Sequence, residues 1–330
     1  MNMGIIADRA VVPAVLFALL LGALPTPATA QPYPDRPLKI LVGSAPGSVP
    51  DTMIRPIAEQ LSVSLGQPVI VENKPGAAGI VAMEALRRAA PDGYTLALAD
   101  MSQAVFNGYL FSKLPYDPQR DLEPIATLVT VALVLAANPA FPANSLAELV
   151  KVASAGREKI FVAMPQTGSP PHVLGLLIQR TAGIEFTMVP YKAGYEAVAA
   201  AVAGEVPLVI EASTAIAPQV RAGKLKGLMV TGREREPLLP NTPTAIESGF
   251  ADIQGELWIG LVAPAGTAAP KIARLNAALV EVLAVPQMKD RMASLGFRTL
   301  VNGPEDFAKL MATERIKWSA VIRSVGLKLD

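Results

Sequence analysis

Leu38-Lys-Ile-Leu-Val42, running into Gly43-Ser-Ala-Pro-Gly-Ser-Val-Pro-Asp51, is the stretch on which the reading of the fold turns. The first five residues form an apolar run of strand length. An amphipathic pattern begins at Thr52, with Ile54, Ile57, Ala58, Leu61 and Leu65 at helical spacing until Gly66 stops it. A strand that ends in a small-residue turn and feeds a helix offering a carboxylate, Asp51, at its start is a ligand-gripping arrangement. The turn brings backbone N–H groups close to a guest, and the helix start adds unpaired N–H groups and the positive end of its dipole. Such a loop suits an anion or a polar oxygen. It does not decide whether that guest is transformed or only held.

Working outward, short apolar strand candidates alternate with longer helical patterns along the rest of the chain. Strands are expected at 68–72, 94–99, 160–164, 185–189, 206–211, 225–230 and 256–263. Helices are expected at about 77–90, 145–155, 195–203, 270–285 and 305–323. The alternation predicts an α/β architecture with largely parallel sheets. The apolar run 125–137 reads as one strand passing from a first lobe into a second, and 256–263 as the return. This sets lobe one at 31–131 plus 256–330 and lobe two at 132–255. A second small-residue loop, Gln166-Thr-Gly-Ser169, precedes Pro170-Pro171 and a helix to about Thr181. Proline in a first helical turn is favourable because its missing N–H would be unpaired there anyway.

Residues 1–30 read as a secretory signal. Ala10–Leu24 is an apolar run of 15 residues, followed by Pro25 and by Ala28-Thr-Ala30, the small-x-small pattern of a cleavage site. A membrane span needs about 20 apolar residues. The mature chain is expected to start near Gln31 and to be soluble in the periplasm. The absence of cysteine rules out a lipidated cysteine, a thiol nucleophile and a disulfide.

Catalytic machinery is thin. His172 is the single histidine, which excludes a multi-histidine metal cluster. No Gly-x-Ser-x-Gly elbow, Gly-x-x-x-x-Gly-Lys loop or Gly-x-Gly-x-x-Gly occurs. The 29 basic and 28 acidic residues are mixed along the chain, and aromatics make up only 5 %, so no nucleic-acid footprint is expected. The expectation is a binding protein without cofactor or metal, monomeric, and not an enzyme. The enzyme alternative is a small hydrolase or isomerase using Asp51 and His172. His172 reads either as a half-buried histidine bonded to local backbone or as a donor in a pocket wall. Asp51 reads as a helix cap that also orients the loop. Tyr191, Lys192 and Tyr195 line another strand-to-helix turn, where either tyrosine could form a pocket wall and Lys192 is solvated or counters an anion. Trp258 reads equally as core packing and as a ligand contact on the hinge side.

Several motifs in fixed order resemble one family. They are Tyr33-Pro-Asp-Arg-Pro-Leu-Lys-Ile, Pro46-Gly47 with Asp51, Leu65-Gly-Gln-Pro-Val-Ile-Val-Glu-Asn-Lys-Pro-Gly-Ala and Ala90-Pro-Asp-Gly-Tyr-Thr-Leu. Leu114-Pro-Tyr-Asp-Pro, Val189-Pro-Tyr-Lys, Ala222-Gly-Lys-Leu, Leu239-Pro-Asn-Thr-Pro-Thr and Leu261-Val-Ala-Pro-Ala-Gly-Thr follow. Together they resemble the extracytoplasmic solute receptors of tripartite tricarboxylate transporters, the Bug-type receptors, over essentially the whole mature chain. The resemblance implies two α/β lobes of a type II-like periplasmic-binding-protein fold, with crossover strands at the hinge, closing like a flytrap on a small organic acid. It also implies delivery of that acid to membrane transporter subunits, with presentation to a signalling partner as the alternative.

Carried over by position, the ligand loops are Ala45, Pro46, Gly47, Ser48 and Asp51 in lobe one, and Gln166, Thr167, Gly168, Ser169 and His172 in lobe two. The end of the 206–211 strand, Glu211 and Ala212, is the third contributor. This chain departs from the family pattern in having Ser48 where a second glycine is usual, Pro50 inside the loop, Pro170-Pro171 ahead of the histidine, and Glu211 where an aspartate is expected. Ser48 and Pro50 imply a stiffer, narrower first loop.

Overall fold

A computed structural model describes residues 33–156, 159–324 and 326–329, so the expected signal segment lies outside the described residues. Among these, no helix is long and apolar enough to cross a membrane. The chain opens with β1 (Leu38–Val42), α1 (Val49–Leu65), β2 (Val69–Asn73), α2 (Ile80–Arg88) and β3 (Thr95–Asp100). Helix α1 buries Met53, Ile54, Ile57, Leu61 and Leu65 on one face, and Gly66 ends it in the left-handed conformation at φ 67°. A short helical stretch ending in α3 (Asn107–Leu110) then leads into β4 (Leu122–Ala137).

The second half continues with α4 (Leu146–Ser154), β5 (Ile160–Pro165), α5 (Pro170–Ala182), β6 (Phe186–Tyr191), α6 (Gly194–Ala203), β7 (Leu208–Ala212), α7 (Ser213–Arg221) and β8 (Lys226–Val230). The chain returns along β9 (Glu256–Pro264) and closes with α8 (Ala269–Ala284), α9 (Pro286–Ser294), β10 (Arg298–Thr299) and α10 (Pro304–Ser324). Helix α7 escapes a pattern reading because Pro218 sits inside it, and β10 because it is two residues long.

The strand order is β2-β1-β3-β9-β4-β7-β5-β6, with β8 and β10 also paired to β4. Only the flanks are parallel: β1 with β2 and β3, and β5 with β6 and β7. The middle is antiparallel, which corrects the expectation of largely parallel sheets. Strands β4 and β9 link the lobes by running past each other, without the helical crossover that parallel pairing requires. The expected boundaries 131/132 and 255/256 fall inside β4 and at the start of β9.

Strand directions locate the cleft. Strand β3 is antiparallel to β9, and β9 to β4, so β3 runs in the sense of β4, whereas β7 runs against it. The two sets of strand C-termini therefore point toward each other. The last residue of β3, Asp100, pairs with Ile259, which pairs with Val129, while the last residue of β7, Ala212, pairs with Leu133. Val129 and Leu133 are four residues apart on β4, which is about 13 Å of extended chain. The loops that follow β1, β3, β5 and β7 converge on that gap, the location that open α/β sheets use for ligands.

The crossover is tightly packed. Gly260 on β9 lies against Phe307 of α10, and Trp258 stacks edge-to-face on the same ring at 5.3 Å. A Cβ at Gly260 would come within 2.3 Å of the Phe307 ring and 2.8 Å of the Ala126 carbonyl. Gly260→Ala is expected to destabilise the protein by about 2 kcal/mol through overpacking, read in urea as a lower midpoint at unchanged m-value.

Candidate functional site

The loop after β1 is organised from behind by Asp51. Helix α1 begins at Val49, three residues before the amphipathic run, so Asp51 lies in the first turn and Ser48 is the N-cap. The buried Asp51 carboxylate accepts from the Gly47 N–H (2.8 Å), Arg55 Nε (3.0 Å), Arg55 Nη2 (2.7 Å) and Asn73 Nδ2 (2.9 Å). Burial works against its ionisation, but the hydrogen bonds from Arg55, Gly47 and Asn73 outweigh that and hold its pKa below the usual aspartate value. With both oxygens engaged, Asp51 shapes the loop and faces its scaffold. Asn73 Nδ2 also donates to the Ser44 carbonyl (3.1 Å), and the Ser44 and Ser48 hydroxyls share a hydrogen bond of 2.6 Å that ties the two arms of the loop together. Pro50 occupies the second helical position, where its missing N–H leaves no intrahelical bond broken. Ala45, Pro46 and Gly47 are left exposed at the tip, with Gly47 at φ 78°.

A second contributor on the β1–β3 lobe precedes α2, at residues where the sequence predicts that the helix has already begun. Gly76, Ala77, Ala78 and Gly79 all have positive φ, the two alanines at 45° and 52°. Two successive non-glycine residues in the left-handed region need support from their surroundings. The Ala78 carbonyl accepts from both Gln103 Nε2 and Asn107 Nδ2, each at 3.2 Å, and Gln103 Oε1 in turn accepts from the Asp100 N–H (2.8 Å). Close approach demands glycine on both sides: a Cβ at Gly79 would lie 2.3 Å from Gln103 Nε2, and one at Gly43 would lie 2.8 Å from the Gly79 Cα. These bonds lock the loops after β1, β2 and β3 into one rim. The readable signal was the Pro75-Gly76-Ala-Ala-Gly79 cluster. Gln103 and Asn107 carried none.

On the β5–β7 lobe, Ser169 is the N-cap of α5. Its hydroxyl accepts from the His172 N–H (3.4 Å) and donates to the Pro165 carbonyl (3.2 Å). Pro170 and Pro171 fill the first two helical positions. The buried His172 accepts the Gly168 N–H at Nδ1 (2.9 Å), and burial lowers its pKa, so the ring is neutral and carries its proton on Nε2. His172 thus offers one donor while bracing its own loop. Gln166 and Thr167 are exposed at the tip, and Gln166 Nε2 bonds the Lys192 carbonyl (3.2 Å), joining this loop to the turn after β6. Two leucines from the other lobe abut it: a Cβ at Gly168 would meet Leu329 at 2.6 Å and Leu110 at 3.0 Å.

Tyr191 is half-buried at the end of β6, where burial raises its pKa, and Tyr195 is 72 % exposed in the first turn of α6. Ala212 is buried at the end of β7 as the N-cap of α7. Glu211 is buried beneath Gly194, whose added Cβ would lie 2.4 Å from Glu211 Oε2. One carboxyl oxygen accepts the Ala212 N–H (2.9 Å) and the other has no partner. Burial pushes its pKa up to about 7. Among the described residues no acidic, histidine or cysteine cluster could hold a metal ion.

Two α/β lobes with backbone-rich loops meeting across a pair of crossover strands make this a two-lobed solute-binding protein of the periplasmic-binding-protein fold. The chain belongs to the tripartite tricarboxylate transporter family of receptors, whose pattern it matches over residues 53–327. It is 33 % identical to BugT of Bordetella pertussis over 304 residues, 92 % of this chain and 93 % of that protein. The solved periplasmic binding protein BugD superposes with a TM-score of 0.80 at 31 % identity, over 90 % of this chain and all of that one. MatC from Rhodopseudomonas palustris, solved with bound malate, gives 0.80 at 32 % identity over 88 % of this chain and all of that one.

Two measurements follow from the buried carboxylates. Asp51→Ala removes four accepted hydrogen bonds from a buried group and is expected to cost about 2–3 kcal/mol at neutral pH in denaturant titration. The contribution of a depressed pKa is lost in acid, so the difference should shrink as pH falls below the ordinary aspartate value of 3.8. Glu211 behaves oppositely. Its folded pKa is raised from 4.5 to about 7, so wild-type stability should decline as pH rises through that window. Glu211→Gln should abolish the decline and be the more stable form at pH 8, by up to roughly 3 kcal/mol.

Proposed function

We propose that this protein is a periplasmic receptor that captures a small organic carboxylate between its lobes and delivers it, as a monomer, to the membrane subunits of a tripartite tricarboxylate-type transporter. The observation that carries the reading is the convergence of the loops after β1 and β5 on one gap, each ending in the N-terminus of a long helix. Helix starts and exposed loop amides favour an anion, and the bound malate of the related MatC is of that class.

In this reading the guest meets backbone N–H groups at 45–48 on one side. On the other it meets the loop 166–169 and the Nε2–H of His172. Arg55, the cation nearest the first loop, is already committed to Asp51 and Asn73, so the carboxylate is held by neutral donors and by waters that bridge them. Tyr191, Tyr195 and the Glu211–Ala212 strand end complete the wall. Closure joins the two half-sites, and the ligand shifts the balance between open and closed forms.

A thermal-shift panel of malate, citrate, adipate and benzoate tests this, because selective binding to the native state raises the melting temperature. At least one acid should give a concentration-dependent rise and be recovered unchanged. His172→Ala should weaken that acid about tenfold, the equivalent of one hydrogen bond to a charged group. A rise with sugars or cationic amines alone would refute the carboxylate assignment.

A further inference from the structure

Helix α5 carries His172 in its first turn and follows the ligand loop 166–169, so where α5 sits decides where half of the cleft sits. Both of its ends touch the opposite lobe, and both touch the same stretch of it: the last turns of α10 and the residues that follow. At the leading end, Leu329 and Leu110 close on Gly168, held at φ 83°, whose missing side chain makes room for them. At the trailing end, the exposed Arg180 donates from Nη1 to the Ala320 carbonyl (3.4 Å) and to Ser324 Oγ (3.2 Å).

That stretch is itself fastened to the β1–β3 lobe. Trp318 is buried edge-to-face on Phe106 with ring centres 5.6 Å apart, and the Arg323 guanidinium lies 5.5 Å from the centre of the Tyr109 ring. The Leu329 N–H donates to the Leu110 carbonyl (2.9 Å), and Lys328 Nζ donates to the Tyr109 carbonyl (2.9 Å). These attachments to 106–110 fix one side, while Leu329 and the two partners of Arg180 reach across to α5.

A hinge built on β4 and β9 leaves the angle between the lobes to contacts made away from it. Gly168 and Arg180 stand at opposite ends of a helix of 13 residues, about 20 Å long. Holding both ends restrains the tilt of α5 as well as its position. The grip at the leading end is apolar, and the polar tip beside it, Gln166 and Thr167, stays exposed toward a guest.

We propose that Leu329, together with Ala320 and Ser324, forms a strap that sets the angle between the lobes, and that Leu329 and Arg180 are positioning residues for the ligand site. The strap holds α5 where His172 and the loop 166–169 face the loops after β1 and β3. Without it, the lobes spend more of their time apart, and the fraction of protein ready to bind falls. The effect on the lobe angle stands whatever the cleft binds; the effect on affinity rests on the carboxylate reading.

The chain has no cysteine, so spin labels attach only where cysteines are introduced. Pro46→Cys and Tyr195→Cys place a pair at exposed positions on opposite lobes, and double electron–electron resonance reads their separation without ligand. In Leu329→Ser/Arg180→Ala the distance distribution should broaden and move to longer values. Leu329→Met, which keeps the apolar contact, should retain the parent distribution. Circular dichroism checks folding, and Arg180→Ala alone, at an exposed site, should shift the distribution the same way if the double variant does not fold. A distribution that these substitutions leave unchanged in folded protein overturns the proposal. Without labels, the double variant should bind malate about fivefold more weakly in calorimetry, and equal affinity in two proteins that both bind malate overturns the proposal too. If the wild type binds no malate, that failure belongs to the carboxylate reading, and the label distances still decide the strap.

Discussion

Backbone pairing along Leu122–Ala137 is the constraint on which the rest of the molecule depends. This one strand carries β9 and β10 on the β1–β3 side and β7 and β8 on the β5–β7 side, and every residue from Ile125 onward is buried. Its N–H and C=O groups have no recourse to solvent, so each must find a partner in the sheet. The register that satisfies them also sets the distance between the two lobes. Because β3 and β7 end at neighbouring levels of the same strand, the cleft follows from sheet pairing before any loop is considered. Register shifts beside Pro124–Ala126 and Thr127–Val129, and again at Leu135/Ala136, bend the strand on either side of the gap.

Within that frame the loops are shaped by polar anchors set behind them. Asp51 gathers Gly47, Arg55 and Asn73; Gln103 and Asn107 hold the Ala78 carbonyl; His172 holds Gly168. Asp51 engages both carboxylate oxygens in this way, whereas His172 uses only Nδ1, and the loop tips at 45–47 and 166–167 stay exposed.

The hinge buries several polar side chains. Thr127, Thr130 and Trp258 on the two crossover strands and Glu211 at the end of β7 all carry side-chain atoms that are sealed from solvent without a partner. Polar groups left in that condition favour any rearrangement or guest that pairs them. The same condition holds at Asn107 in α3 and at Ser213 and Thr214 in α7, so it is not confined to the crossover.

Periodicity and punctuation in the chain were enough for the α/β class, the strand-to-helix loops at 43–51 and 166–172, the stop at Gly66 and the long strand through 125–137, because these depend on local spacing and local backbone preference. The family likeness was equally legible, since it rests on the order of short motifs such as Glu72-Asn73-Lys74-Pro75-Gly76. What each loop residue does was not. Asp51 read as a helix cap that also orients the loop: Ser48 holds the cap position instead, Gly47 does bond Asp51 within the loop, and only Asn73 is brought in by packing β1 against β2. Gln103 and Asn107 carry no signal because their partner, the Ala78 carbonyl, is 25 and 29 residues away. The antiparallel middle of the sheet and the burial that lifts the Glu211 pKa are likewise products of tertiary structure. Each depends on which distant segments share a low-dielectric space, and no local pattern in the chain encodes that.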